Sequence, residues 1–406
     1  MIVLTVTHQY KLIPTRSQMV TFDEWLGICC QIYNYALKER KDWVNSRKSA
    51  VNACSIVSEY IIRPDTPRPN YARQCNNLAE AKKTYLNLNI PHSQVLQQTL
   101  KVLETAFVSM WERGFGFPRL KKKLHSFVFP SVKNAAVEPG RVKLPKIGWV
   151  RMRRSRPTPD GFQLRQIRVV KKASGYYVML VYQLAVDIPD TPMQGHPLGV
   201  DIGLTKYLAT SDGELIDRPR FFNALHGKLK SLQRRLKHKK KGSSNYLKLQ
   251  KKIARVHEHI SDTRKDWHFK LAHHLCDQAG AILVEDIDFK AWAKGMFSKH
   301  TLDAAYGQFF EILSYICWKR GVYFAKVDKN YTSQICPNCS ALTGKKSLSQ
   351  RVHNCHECGY RTHRDVAASQ VIRNRGIIAA GQSVIQSASG DVLTGTIGNN
   401  SIVKCR

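Results

Sequence analysis

The sequence predicts a multidomain α+β protein: a β-barrel or sandwich with helices inserted into it, then an α/β sheet interrupted by a cysteine-rich ribbon. Three observations carry this. Apolar residues alternate with period two near the start of the chain and again between about 117 and 190. Strands and helices alternate after Pro197. Four cysteines fall in two C-x-x-C pairs within residues 336–358.

In order along the chain, residues 2–12 read as a strand, broken by Pro14 before a helical stripe at Phe22, Leu26, Cys29, Tyr33 and Leu37. A polar, loop-rich stretch is expected to about Ile90. Ser93 reads as the N-cap of a helix with Leu96, Leu100, Leu103, Phe107 and Met110 on one face, ended by Gly114, Gly116 and Pro118. Short alternating segments follow at 127–129, 166–170 and 176–186, the last two joined by a Ser174-Gly175 turn. Beyond Pro197, Leu198 to Ile202 and Leu204 to Ser211 read as a hairpin and about 220–278 as a basic helical region. Ala281 to Val284 is a short buried strand, Leu302 to Arg320 a helix ended by Gly321, and Val322 to Val327 a further strand. A last helix begins near Asp365, and residues 377–406, low in charge and rich in Gly, Ser, Thr and Asn, read as a disordered tail.

The 406 residues hold 64 Lys plus Arg against 30 Asp plus Glu, a formal charge of +34, with 43% hydrophobic residues. That is enough apolar material for ordinary cores, so wholesale disorder is excluded. A folded chain this basic repels itself unless a polyanion covers it. Nucleic acid fits better than lipid, because no apolar run of about 18 residues could span a bilayer and the start lacks the charged and apolar regions of a secretory signal. A cytoplasmic or nucleoid location in a prokaryote is expected. The surplus is concentrated: 113–125, 151–172 and 218–255 supply 26 of the net positive charges, and 218–255 holds fourteen Lys or Arg and no Asp or Glu. Candidate phosphate contacts are Arg119, Lys121, Lys122, Arg153, Arg154, Lys228, Arg234, Arg235, Lys239, Lys240, Lys251 and Lys252, read as surfaces for a nucleic-acid backbone. No G-x-x-x-x-G-K-[ST] loop occurs, which argues against an ATP-driven enzyme.

Of eleven cysteines, seven are scattered. Cys336, Cys339, Cys355 and Cys358 have the two-knuckle spacing that lets four thiolates close a tetrahedron around Zn²⁺, a structural site because no coordination position stays open. His353 and His356 beside them read as surface or supporting groups. Three acids stand out by context: Asp201 at the end of an apolar strand, Glu285 ending Ala281-Ile-Leu-Val284, and Asp365 opening the last helix. A carboxylate at a buried strand tip is costly unless paired or bound to a cation. Three converging on one sheet edge could hold two Mg²⁺ ions for phosphodiester hydrolysis. Each could equally be an ordinary turn or N-cap acid, and Asp286 and Asp288 compete with Glu285 from loop positions.

The chain resembles the TnpB family of transposon-encoded RNA-guided nucleases, relatives of type V CRISPR effectors. The carriers run from about residue 8 to 376: Tyr10 to Thr15, His92 to Thr99, Gly116-Phe-Pro-Arg119, Gly199-Val-Asp-Ile-Gly203, Arg264-Lys-Asp-Trp-His268, Val284-Glu285-Asp286, Tyr331 to Gln334, Cys355 to Tyr360, and Arg364-Asp365-Val-Ala-Ala. The resemblance implies a wedge β-barrel from 1–16 and 117–196, a helical recognition insert at 17–116, an RNase H-like RuvC nuclease from 197–331 and 360–376, and a zinc ribbon at 332–359. It implies Asp201, Glu285 and Asp365 as the three catalytic acids holding Mg²⁺. It also implies a guide RNA from the transposon end, carried by one protein monomer, that pairs with a target double-stranded DNA beside a short flanking motif.

Two departures from the family pattern are visible. His363 stands where an acid is common two residues before Asp365, and Ala367 and Val371 stand where Asn is common after it. The competing function is a nuclease-inactive RNA-guided DNA-binding repressor, which should have lost one or more of the acids; all three are present. A zinc-ribbon RNA chaperone or a strand transferase is a further alternative, the latter needing a nucleophilic Tyr or Ser motif that the sequence does not offer.

Overall fold

A computed structural model of the chain describes residues 2–47, 62–63, 65–132, 134–158, 160–186, 192–295, 298–347, 349–386 and 392–396. Two compact units, residues 1–188 and 189–406, each carry their own core.

In the first unit, β1 (Ile2–Ile13), α1 (Arg16–Ser46), α2 (Tyr71–Thr84) and α3 (Ser93–Arg113) precede β2 (Ser126–Phe129), β3 (Val137–Glu138), β4 (Arg141–Leu144), β5 (Gly148–Arg153), β6 (Gln163–Lys172) and β7 (Gly175–Val186). The strands form one antiparallel sheet in the order β2-β6-β7-β1-β5-β4-β3. β1 spans two partners, pairing with β7 along Ile2–Lys11 and with β5 along Lys11–Ile13. Among the described residues the two edges, β2 and β3, are not bonded to each other. Helices close the core instead: Phe22 and Trp25 of α1 meet Phe127 and Phe129 of β2 at ring-centroid distances of 5.5–6.1 Å. One continuous cluster therefore joins the helices to the sheet.

Two helix details differ from expectation. The stretch before Ile90, expected to be loop, contains α2, capped by the Asn70 side chain on the Arg73 N–H. Its pattern is faint because only Gln74 and Leu78 are buried in it. The cap of α3 is His92, whose Nδ1 accepts from Gln94 N–H, one residue before the expected Ser93.

In the second unit, β8 (Pro197–Ile202), β9 (Lys206–Thr210) and β10 (Leu215–Asp217) lead into α4 (Phe221–Lys237) and α5 (Ser244–Gln278). Then come β11 (Ala281–Glu285), α6 (Phe289–Trp292), α7 (Ser298–Ala304), α8 (Tyr306–Arg320) and β12 (Tyr323–Val327). The expected single helix 302–320 is broken at Ala305, which has φ +51°. β13 (Val352–Asn354) and β14 (Arg361–His363) follow, then α9 (Arg364–Ala379) and a hairpin of β15 (Gln382–Gln386) with β16 (Val392–Thr396). Where a disordered tail is expected from 377, the helix thus runs on to Ala379 and a hairpin follows; the rest of that stretch lies outside the described residues.

The main sheet has the order β10-β9-β8-β11-β12, with β8, β11 and β12 parallel and β9 and β10 antiparallel. Alternation divides its two faces. Leu198, Val200, Ile202, Ile282 and Val284 pack with α5 and α8. Ala281 and Leu283 face the other way, against Ile372 and Ile377 of α9.

Candidate functional site

Parallel register places Val200 of β8 opposite Val284 of β11, so Asp201 and Glu285 leave adjacent strands one residue later, at the same carboxyl-terminal edge. By alternation both belong to the face that α9 covers. Asp365 arrives from the first turn of α9. What brings that helix close is the absence of two side chains. A Cβ on Gly199 would lie 1.9 Å from the Ser369 carbonyl oxygen, and one on Gly376 would lie 2.5 Å from both Leu283 methyl carbons.

Burial, and after it the carboxylates of Glu285 and Asp365, hold the Asp201 carboxyl well above the usual carboxylate range, against the pull of Arg364 and a backbone bond from Ile202. Glu285, 9% exposed, is also raised by burial, opposed chiefly by a bond from the Thr332 hydroxyl and by Arg375 and Lys329. The three acids therefore share one electrostatic environment, although their oxygens do not all lie within 4.8 Å of one another. Two desolvated carboxylates, with a third close enough to act on Asp201, make a hard-oxygen donor set of the kind Mg²⁺ takes.

The departures from the family pattern have local explanations. His363 is the N-cap of α9, its Nδ1 accepting from the Asp365 N–H at 3.2 Å, and Ala367 and Val371 are core residues. Asp286 is exposed and paired with Lys326 at 3.3 Å, and Asp288 accepts from Ala291 N–H. Neither joins the cluster. The Arg264 to His268 motif is structural. Arg264 pairs with Asp303, and the buried His268, held neutral with its pKa pushed down to about 4 by burial, sits 3.0 Å from Tyr207 Oη and 3.1 Å from Ala304 O. Tyr306, set by the break at Ala305, donates to Gly203 O at 2.5 Å, fixing the turn after Asp201.

The sulfur atoms of Cys336, Cys339, Cys355 and Cys358 lie within 4.8 Å of one another, with Sγ–Sγ distances of 3.6 Å for Cys336–Cys358 and Cys339–Cys355. Four thiolates about 2.3 Å from a tetrahedral zinc are spaced by about 3.8 Å, so the set fits Zn²⁺. The backbone of Tyr360 and then the Asn338 amide draw the Cys358 thiol down to about 6, toward the thiolate that binds metal. His353, expected at the surface or in support, is buried; His356 is exposed.

Of the candidate phosphate contacts, Arg119, Lys121, Lys122, Arg153 and Arg154 belong to the first unit. All but the half-buried Arg154 are exposed, and that side chain bonds Arg156 O and Thr158 Oγ1 within its own turn. Lys228, Arg234, Arg235, Lys239, Lys240, Lys251 and Lys252 are exposed on α4, on α5 and in the turn between them. These helices are held together by Leu229, Leu232, Leu249, Val256 and Ile260. Lys228, Lys252, Arg255 and His259 line a groove floored by Leu225, Leu232 and Val256. The carboxyl-terminal half of α5 packs on the sheet face opposite α9. The basic hairpin therefore belongs to the layer on the side of the sheet opposite the acids.

Three family models match in chain order: a helix-turn-helix domain of the OrfB_IS605 type at 1–49, "Probable transposase" (OrfB_IS605) at 179–295, and the Cas12f1-like TNB domain at 306–372. A candidate RNA-guided DNA endonuclease of Streptomyces pristinaespiralis is 29% identical over 94% of this chain and 90% of its own. The candidate RNA-guided DNA endonuclease InsQ of Escherichia coli K12 is 28% identical over 93% and 92%. Among solved structures, a Cas12f1–sgRNA–target DNA complex aligns with TM-score 0.53 at 12% identity, covering 92% of this chain and 99% of that one. The mini-RNA-guided endonuclease Cas_phi3 aligns with TM-score 0.50 at 9% identity, covering 93% and 92%. Those two likenesses concern the fold. With family matches at both ends and in the middle, the chain is similar over most of its length to the TnpB-like, OrfB_IS605 proteins.

Proposed function

We propose that the protein is an RNA-guided, Mg²⁺-dependent DNA endonuclease that cuts target DNA beside a short flanking motif, with Asp201, Glu285 and Asp365 as its catalytic acids. The observation that carries this is the shared environment of those three carboxylates at the edge of β8 and β11. The strand order, with a central strand, an antiparallel hairpin on one side and two parallel strands on the other, supports an RNase H-like reading of the second unit. The seven-stranded sheet of the first unit corresponds to the wedge, and the curated relatives carry the name RNA-guided DNA endonuclease.

Bound to the three acids, Mg²⁺ would polarise the scissile phosphate and activate water for attack on it. The chain's own part is to hold the acids close together, with nearby cations offsetting part of the burial that disfavours their charged forms. Arg364 beside Asp201, and Arg375 and Lys329 beside Glu285, favour the charged forms. The Thr332 bond orients Glu285, and Tyr306 fixes the backbone at Gly203.

Because the basic hairpin lies in the opposite layer, its partner in this reading is the RNA scaffold, while the strand to be cut meets the α9 face. The guide pairs with the target, and the protein reads the duplex motif and the backbone shape. The test is Asp201→Asn in the protein carrying its copurified RNA. Guided DNA binding should persist while cleavage in Mg²⁺ is lost; cleavage at the wild-type rate refutes the assignment.

A further inference from the structure

We infer that the zinc ribbon is a positioning device for the acid cluster, acting on Glu285 through Thr332; the inference rests on the nuclease reading for the identity of the cation site. Thr332 stands at the start of the ribbon and is 6% exposed. Its hydroxyl donates to Glu285 Oε1 across 47 residues of sequence. A hydroxyl has one proton, so this donation engages one carboxylate oxygen and leaves the other to face the site. The alternative acceptor, Lys329 O, lies 3.3 Å away, so the side chain would turn from the acid if it were not held.

What holds it is the ribbon. The neighbouring Ser333 carbonyl accepts from the buried Lys346 ammonium at 2.9 Å, and that ammonium also reaches Thr343 Oγ1 at 2.8 Å. Thr343 bonds back to Gln334 O through its N–H at 2.7 Å and its hydroxyl at 2.9 Å. Two residues later Cys336 begins the first knuckle, closed by Cys336 N–H to Ala341 O. A short, fully bonded path thus joins the four thiolates to Glu285.

The far side of the ribbon is tied to Asp365 in the same way. β14 runs directly into α9, and Arg364 donates from its backbone to Arg351 O and from its guanidinium to Ser347 O, each at 2.8 Å. The Asn374 amide of α9 donates to Pro337 O inside the first knuckle at 3.1 Å. An inserted ribbon that only stapled the fold would need no contact with either acid. This one touches Glu285 and supports the helix that carries Asp365.

The test compares Thr332→Val, which keeps the shape and removes the donor, with Thr332→Ser, which restores it. In the zinc-loaded full chain, Mn²⁺ titration read by the EPR signal of free Mn²⁺ should show affinity about tenfold weaker in Thr332→Val, the scale seen when a partner of a metal-ligating carboxylate is lost. The Mg²⁺ midpoint of guided cleavage should shift in step. Thr332→Ser should match wild type in both, and zinc content should be unchanged in all three proteins. Wild-type Mn²⁺ affinity in Thr332→Val, or equal weakening by both variants, overturns the inference. Asp201→Asn run beside them separates the two levels. If it lowers Mn²⁺ uptake and abolishes cleavage while Thr332→Val changes nothing, only the positioning role falls; if it too changes nothing, the nuclease reading falls first.

Discussion

Gly199→Ala is the sharpest probe of how the acid cluster is built. The added carbon would lie 1.9 Å from Ser369 O, 2.8 Å from Arg373 N and 2.9 Å from Arg373 Cβ. Two of these are backbone atoms of α9, so no rotamer change relieves the clash. Ordinary contact begins near 3.4 Å, so the helix or the strand must retreat by about 1.5 Å. Overpacking of this kind costs about 3 kcal/mol, which in a unit of this size lowers the melting temperature by about 6–12 °C. The larger effect should fall on catalysis: Asp365 rides on the first turn of α9, and a displacement of about 1 Å at a catalytic centre costs about a hundredfold in rate.

The assay is single-turnover cleavage of a matched target at saturating guide RNA and Mg²⁺, with a melting curve on the same preparation. Two further glycines calibrate it. Gly376→Ala would bring its Cβ to 2.5 Å from both Leu283 methyl carbons and 2.8 Å from Leu283 Cγ, atoms of a side chain and not of the backbone, and should cost less. Gly227→Ala in α4 meets nothing within 4 Å and should stabilise by up to about 1 kcal/mol, the difference in helix propensity. A Gly199→Ala protein that cleaves within about twofold of wild type and melts within about 2 °C of it would show that the close helix–strand approach does not set the site.

Three other predictions concern the remaining parts. Lys228→Gln, Lys251→Gln and Lys252→Gln together should weaken binding of the copurified RNA and reduce the slope of log affinity against log salt by about 2–3. The cleavage rate of fully loaded complex should be unchanged, and an unaltered slope counts against the hairpin as an RNA surface. Cys336→Ser should lose zinc and lower the melting temperature, as chelation of the wild type should, because structural zinc contributes folding energy; chelation without a change in melting contradicts this. Asp201→Asn should stabilise the divalent-free protein. The folded Asp201 pKa is raised, so between the ordinary carboxylate value and the raised one the native state keeps a proton that the unfolded state has lost. Wild-type stability therefore falls as pH rises through that window, and the melting gap to Asp201→Asn should open with it and narrow on adding Mg²⁺. Calorimetry at several pH values in chelator checks this, and a gap independent of pH refutes it.

Much of this site was legible because its signals are local. Asp201 and Glu285 each end an apolar strand run, and the C-x-x-C pairs mark by spacing alone the four sulfurs that the fold gathers. Elements whose cores are thin were not legible. α2 buries little besides Gln74 and Leu78, and the Arg40 guanidinium that donates to Gln74 Oε1 at 3.0 Å and pairs with Glu104 at 2.7 Å is a buried charge that looks like an ordinary surface residue in the sequence. The break at Ala305 was hidden because the residue with positive φ is an alanine, not a glycine or proline, and the ring contacts of Tyr207 with Tyr306 and His268 that accompany it come from distant parts of the sequence. The layer from which the basic hairpin projects was likewise out of reach, since charge counts say how many cations there are and nothing about which sheet face they leave from.

The two kinds of information meet at Gly199. It lies inside the strand Pro197–Ile202, where a glycine costs backbone entropy and packs no side chain. It carries no positive φ, and the space its missing side chain leaves is filled by the carbonyl of Ser369 and the backbone of Arg373. The glycine is there for a helix. The same helix buries Ala367, Ala368 and Ser369 near this strand, all small, and places Asp365 one turn earlier. Small residues on two elements far apart in sequence thus encode the distance between acids that neither element could hold alone. Their electrostatic repulsion sets a cost that packing must meet in the absence of a cation, and the ribbon contacts to Glu285 and to α9 supply part of that constraint.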